Sequence, residues 1–344
     1  MKLNKPFLVA EISANHNGKL SNALKLIKEA KLYGADAVKI QTYTPDSMTL
    51  RSNKKYFKIK SGLWKGYNLW NLYNQAKTPY EWHNQLFKFA KKINIKLFST
   101  PFDEVAVDFL EKLNCPIYKI ASFEMHDLNL IKKVAKTEKP MIISTGMATL
   151  DEISRSFLVA KKNGCKDITL LYCVSNYPSD IKDFNLNNIK ILKKKFKCRI
   201  GLSDHSKNNI VAKTAVALGA EIIEKHIGLK NQKKGLDIEF SLKGEEIQKF
   251  KNEITEVENL KGGMAFFRSK SENSSRMLRR SIFIAEDIKK GEKFTPLNIK
   301  KVRPGNGLSP HYYEKLINKK SPKKLIKGEP LKKNILKKIF SIKD

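Results

Sequence analysis

Residues 117–145 read IYKIASFEMHDLNLIKKVAKTEKPMIIST and hold one full turn of the pattern that runs through the chain. A short β-branched run (117–122) leads into an amphipathic segment (127–137), and a second apolar run follows (141–145). Runs of this length with β-branched residues predict strands, and the segment between them has the periodicity of a helix. Strand, helix, strand implies parallel neighbours, because parallel strands need a crossover. Moving outward, the same unit recurs. Further strand-like runs lie at 7–12, 37–43, 97–101, 168–175, 199–203 and 221–227, with helix-like segments at 21–33, 79–93, 104–113, 150–163, 186–196 and 208–218. Gly34, Gly164 and Gly219 stand where such helices should stop. Eight units predict a (β/α)₈ TIM barrel of class α/β. An open doubly wound sheet is the alternative, but the first strand is followed by no glycine-rich phosphate fingerprint.

The chain has 344 residues, enough for one large domain with a small one beside it. It has no apolar run of the roughly 18 residues that a membrane span needs. Its N-terminus lacks the pattern of a signal peptide. Cys115, Cys165, Cys173 and Cys198 show neither metal nor redox spacing, as expected for free thiols of a cytoplasmic protein. The formal net charge is +33, from 67 Lys and Arg against 34 Asp and Glu. Only 8 of the 67 are arginine, whereas nucleic-acid readers draw on arginine for bidentate contacts. The lysines recur as pairs such as Lys91-Lys92 and Lys132-Lys133, which reads as a solvated face that also draws anions toward any cleft. A basic nucleic-acid-binding protein without turnover stays open as a rival, and steep salt dependence would be its mark.

Each strand-like run finishes in polar groups. They are Glu11; Lys39 and Gln41; Ser99 and Thr100; Lys119, Ser122 and Glu124; Ser144 and Thr145; Ser175 and Asn176; Ser203, Asp204 and His205; Glu224 and His226. In a barrel these ends meet at one mouth. One polar strand end is an ordinary cap or turn residue, but eight in succession predict a site for a small polyanion. Lys39 and Lys119 interrupt apolar strands, so each ammonium needs an anion, for which phosphate or carboxylate is expected. Ser122, Ser144 and Ser203 add neutral donors. His205 and His226 end adjacent strands and are candidate ligands of a divalent metal, with Mn²⁺, Mg²⁺ and Co²⁺ equally suited. His16, in an Asn-His-Asn-Gly loop, reads as functional or as a turn former. His83, His126 and His311 show no partner in the sequence.

AEISANHNG (10–18), VKIQTY (38–43), FSTPFD (98–103), YKIASFE (118–124), ISTGM (143–147), GLSDH (201–205), EKHI (224–227) and RPGNG (303–307) together resemble the sialic acid synthase family. The likeness spans the chain in order. It implies a phosphoenolpyruvate-dependent nonulosonic acid synthase that condenses phosphoenolpyruvate with an amino sugar. It also implies a barrel (1–261), a linker (262–283) and a small antifreeze-like SAF domain of β-clip type (284–344). From residue 285 on, 17 basic and 6 acidic residues give +11. The resemblance implies that this domain closes the active site of the other subunit in a domain-swapped homodimer.

An insertion (44–83) carries all three tryptophans, Trp64, Trp70 and Trp82, and resembles the pseudaminic branch of the family. A wall of aromatics suits a 6-deoxy sugar with a methyl and two acetamido groups, and the implied sugar is 2,4-diacetamido-2,4,6-trideoxy-L-altrose. Legionaminic and N-acetylneuraminic acid synthases are the near alternatives. An octulosonate-type enzyme is a further one, but such enzymes lack the small C-terminal domain. The resemblance assigns phosphoenolpyruvate to Lys39, Gln41, Lys119, Ser122, Ser144 and Ser203, with Ser175 or Asn176. Here the family's Asn-Ile-Tyr-Pro is replaced by Ser175-Asn176-Tyr177-Pro178. Tyr177, Asp237, Arg303 and Trp64 are implied for the sugar, and His205 and His226 for the metal. The resemblance implies Glu11 and Glu124 as the catalytic carboxylates, with the working base open between them because that assignment needs geometry.

Overall fold

The computed structural model describes residues 6–263, 266 and 268–340. Eight parallel strands close on themselves in sequence order: β1 Phe7–Glu11, β2 Ala37–Thr42, β3 Lys96–Pro101, β4 Tyr118–Ile120, β5 Met141–Ser144, β6 Ile168–Cys173, β7 Arg199–Asp204 and β8 Ile222–Gly228. Closure comes from β1 pairing with β8, where Val9 meets Glu224 and Glu11 meets His226 in register. A short strand, β9 (Leu242–Lys243), pairs in parallel with the last two residues of β8.

Helices follow the strands: α1 Leu20–Leu32 after β1, then in the long β2–β3 connection α2 Pro45–Met48, α3 Leu69–Ala76 and α4 Tyr80–Lys92. The remainder are α5 Glu104–Lys112, α6 Leu128–Ala135, α7 Leu150–Lys162, α8 Asn188–Phe196, α9 Ile210–Ala217 and α10 Glu245–Lys261. Side chains set their starts. Asp103 accepts from the N–H of Ala106 at α5, and Thr149 forms a reciprocal capping box with Glu152 at α7. Gly34, Gly164 and Gly219 take positive φ where their helices end, as the sequence predicts.

One continuous apolar core joins strands to helices, with Leu26, Ile27, Ile40, Phe98 and Ile223 fully buried in it. Each such side chain contributes about 1.5–3 kcal/mol over its exposed state. The period of two along a strand sends alternate residues to opposite faces. On β8 it directs Glu224 and His226 inward and Lys225 outward, where its ammonium meets Asp204 at 2.9 Å.

The second unit begins at Gly263 and has its own core around Ile282, Ile284, Phe294, Ile299 and Leu308. Its antiparallel pair is β10 Ser281–Ile284 and β11 Ile299–Val302. The expected boundary at 284 therefore falls three residues inside ordered structure. Residues 276–280 are also tied to this unit, since the Gly305 N–H donates to the Met277 carbonyl at 2.8 Å. Ser281 fastens the RPGNG loop by donating to the Pro304 carbonyl (2.6 Å) and accepting from the Gly307 N–H (2.8 Å). Arg303 is exposed at the end of β11. Among the described residues no helix is long and apolar enough to cross a membrane.

Candidate active site

Inside the barrel mouth, two lysines and two glutamates form one buried network. The Lys39 ammonium contacts a carboxylate oxygen of Glu11 and lies 3.7 Å from Glu224 Oε1. Lys119 lies 3.7 Å from that same oxygen. The anion that each buried ammonium requires is supplied here by the protein's own carboxylates. Glu224, seen in the sequence only as a polar strand end, is the group at the centre. Lys39 donates also to Thr100 Oγ1 (3.2 Å), Lys119 to Ser144 Oγ (2.6 Å), and Ser203 Oγ to Glu224 Oε1 (3.0 Å).

Charge follows from this packing. Burial works against an ionised Glu224, but Lys119 and Lys39 outweigh it and hold its pKa below the usual value. Burial pushes Glu11 up to about 7 even with Lys39 against it. Glu11 also accepts from the Ser13 N–H at 2.7 Å, so both its oxygens are engaged within the protein.

Ser122 and Ser175 are hydrogen-bonded at 2.8 Å, across from Gly146. A Cβ on Gly146 would lie 2.2 Å from Ser175 Oγ and 2.7 Å from Cys173 Sγ, so the β5 loop can close on the β6 end only with glycine there. Asn176 accepts from its neighbour's N–H, Tyr177 N, at 3.1 Å. Gln41 donates to Ser13 Oγ at 3.1 Å.

The two mouth histidines lie edge to face with centroids 5.6 Å apart. His205 Nδ1 stands 3.0 Å from the Val174 carbonyl, which can only accept, so the proton sits there and Nε2 keeps its lone pair. Burial lowers the pKa of His205 to about 4 and that of His226 well below the usual value, so both rings are neutral. His226 Nδ1 is buried without a hydrogen-bond partner, 3.7 Å from Asp237 Oδ2. Among the described residues no group of three or more His, Cys, Asp and Glu is set to hold a metal ion. The donor set is thus two neutral imidazoles, which fits a cation whose other ligands come from water or substrate.

A cavity of about 440 Å³ opens beside these groups. Ser13, Gln41, Glu124, Ser175, Asn176, His226 and Asp237 line one part of it, while Met48, Leu63, Leu72 and Phe102 are among its apolar wall. Lys39, Lys119, Ser144, Ser203 and His205 are not in that lining; the ion-pair network is tied to it by Ser13, whose N–H bonds Glu11. Glu124 Oε2 is buried with no hydrogen-bond partner, and burial pushes this carboxyl up to about 7. Trp64 and Tyr177 both line the cavity with ring centroids 5.4 Å apart, and the Trp64 indole donates to the Leu236 carbonyl at 3.0 Å. Of the three tryptophans only Trp64 lines it. Trp70 bonds Asp46 at 2.8 Å, and Trp82 packs on the core and meets His16 edge to face.

Two minor histidines resolve as structural. His16 Nδ1 accepts from the Gly18 N–H at 3.1 Å, which makes it a turn former. His83 is buried behind the barrel wall, 2.8 Å from Thr42 Oγ1. Thr42 is 2.6 Å from Ser99 Oγ, so Ser99 faces outward while its neighbour Thr100 reaches Lys39. The sequence signal that would have found Glu224 is its spacing: two residues before His226 on a strand, it must share the inner face.

The sequence model of the NeuB family matches residues 26–265, and that of the SAF domain matches residues 279–337. A pseudaminic acid synthase of Campylobacter jejuni (serotype O:2) is 45% identical over 328 residues, covering 95% of this chain and 96% of that one. A pseudaminic acid synthase of Helicobacter pylori is 42% identical over 333 residues, covering 96% and 97%. Among solved structures, an N-acetylneuraminic acid synthetase from Leptospira borgpetersenii in complex with citrate superposes with a TM-score of 0.71 at 33% identity, over 79% of this chain and 90% of that one.

Proposed function

The chain belongs to the NeuB family, and from that premise we propose that it is a pseudaminic acid synthase. It condenses phosphoenolpyruvate with 2,4-diacetamido-2,4,6-trideoxy-L-altrose and water, giving pseudaminic acid and phosphate. The observation that carries this reading is a single cavity with Glu124, His226 and Asp237 in its polar lining and an apolar wall from the β2–β3 connection. Higher identity to two pseudaminic acid synthases than to the solved N-acetylneuraminic acid synthetase supports the choice of sugar. The nucleic-acid reading has no comparable support.

Lys39 and Lys119, with Ser122, Ser144, Ser203 and one of Ser175 and Asn176, hold the phosphate and carboxylate of phosphoenolpyruvate, and Gln41 stands beside them. Asp237 and Tyr177 orient the sugar so that its aldehyde carbon faces carbon 3 of phosphoenolpyruvate. A divalent cation (Mn²⁺, Mg²⁺ or Co²⁺), held by His205 and His226, would supply Lewis-acid polarisation of the aldehyde oxygen. The new C–C bond leaves carbon 2 electron-poor, and water adds there. Glu124 takes the proton of that water. A carboxylate oxygen with neither hydrogen bond nor ion pair supports it over Glu11, which is held by Lys39 and Ser13. The tetrahedral centre then collapses to the ketone as the C–O bond to phosphate breaks. Arg303 reaches the sugar's acetamido group from the partner's small domain in a cytoplasmic, domain-swapped homodimer.

The test is phosphate release from phosphoenolpyruvate with the altrose derivative, the legionaminic precursor and N-acetylmannosamine in turn, with and without chelator. The altrose derivative should give the highest kcat/KM, and chelator should stop turnover. Preference for either other sugar would overturn the assignment.

A further inference from the structure

The apolar face of α3 points into the cavity instead of the core. Leu69, Leu72, Tyr73 and Ala76 fall at i, i+3, i+4 and i+7, which places them on one helical face. On an ordinary surface helix that stripe is buried against the hydrophobic core. Here all four residues line the cavity, and none belongs to the barrel's apolar core or packs against it.

The helix is anchored by other means. Asn68 caps its start by accepting from the Trp70 N–H at 3.0 Å and donates to the Ser52 carbonyl at 2.7 Å. Trp70, on another face, bonds Asp46. Tyr43 meets Tyr73 edge to face at 6.0 Å and packs in turn on Phe102 at 5.2 Å. With its position fixed this way, the stripe remains available to whatever fills the cavity. Leu69, Leu72 and Ala76 offer no side-chain hydrogen-bonding atom, and Met48, Leu63 and Phe102 continue the same wall.

We infer that this face of α3 selects the far end of the sugar, favouring a 6-deoxy chain that ends in a methyl group over one that ends in a hydroxymethyl. The inference rests on the reading above, in which the aldehyde lies at the polar lining and the rest of the open chain extends away from it. A methyl against Leu72 and Ala76 exchanges water for apolar contact. A hydroxyl in the same place gives up its water and finds no partner on α3. An apolar pocket of this kind discriminates by on the order of a hundredfold.

The test measures kcat and KM for the trideoxy altrose derivative and for N-acetylmannosamine with the full-length wild type, Leu72→Asn and Ala76→Ser. Thermal melts establish that each variant is folded. The expected result is a sugar KM raised at least about tenfold in Leu72→Asn and less in Ala76→Ser. The ratio of kcat/KM should shift toward N-acetylmannosamine in both, with the KM for phosphoenolpyruvate within about twofold of wild type. If Leu72→Asn does not fold, Ala76→Ser decides, because it adds only a hydroxyl to a half-buried helical site. An unchanged sugar ratio in folded variants of an active enzyme overturns the role of α3 alone. A wild type that prefers N-acetylmannosamine overturns the functional reading itself.

Discussion

His205 and His226 meet edge to face at 5.6 Å on neighbouring strands, with the Nδ1 proton of His205 committed to the Val174 carbonyl. The pair is therefore two neutral rings with lone pairs to offer. His226→Ala should lose divalent-cation binding, read by calorimetry with Mn²⁺ alone, and should lower kcat/KM roughly a hundredfold or more. The fold should survive, because His226 joins the β1–β8 closure through its backbone, which alanine keeps. Full activity with undiminished Mn²⁺ binding would remove the pair from any cation site.

Lys39 neutralises two buried carboxylates at once. Lys39→Met should leave Glu11 and Glu224 with only Lys119 as counter-charge, lowering barrel stability by about 3–5 kcal/mol. Urea denaturation followed by tryptophan fluorescence reads this, since all three tryptophans lie in the barrel unit. The same variant should raise the KM for phosphoenolpyruvate.

Burial raises Glu124 to about 7, so the carboxyl is mostly protonated at pH 6 and mostly ionised at pH 8. As the base that accepts a proton from water, it must be ionised. The log of kcat should accordingly climb with pH through about 7 and level off above it. Glu124→Gln should lose both the activity and that inflection. Retention of the inflection in the residual rate would assign it to another group.

Trp64 closes the cavity against Tyr177. Trp64→Ala should raise the sugar's KM roughly five- to tenfold while changing that of phosphoenolpyruvate far less, as expected for a ring that touches one substrate.

The domain-swapped reading predicts complementation. Arg303→Ala and His205→Ala, each inactive alone, should recover part of the wild-type rate when co-refolded into hybrid dimers, because one site in the hybrid would have both an intact barrel and an intact partner arginine. No recovery would mean that each chain completes its own site.

Much of this was legible in the chain because the barrel repeats one simple signal. β-branched runs and amphipathic helices alternate, and all eight strands lie within two residues of the expected bounds at each end. β4 is shorter than its apolar run suggests: after Ile120 the chain turns, which carries Ser122 to Ser175 rather than along the sheet. The convergence of polar strand ends was also legible, since topology enforces it. Which polar end meets which was not. Glu224 takes its meaning from Lys39 on β2 and Lys119 on β4, and no local pattern on β8 names those partners. The face of α3 was hidden for a similar reason. A stripe that lines a cavity and one that packs on a core have the same periodicity, and only the packing separates them.

The most direct measurement uses phosphoenolpyruvate carrying ¹⁸O in the oxygen that bridges carbon 2 and phosphorus. Turned over with the trideoxy altrose derivative, the enzyme should release phosphate that contains the label, because water attacks carbon 2 and the C–O bond breaks. Unlabelled phosphate would mean P–O cleavage, and would contradict the chemistry assigned to this barrel mouth.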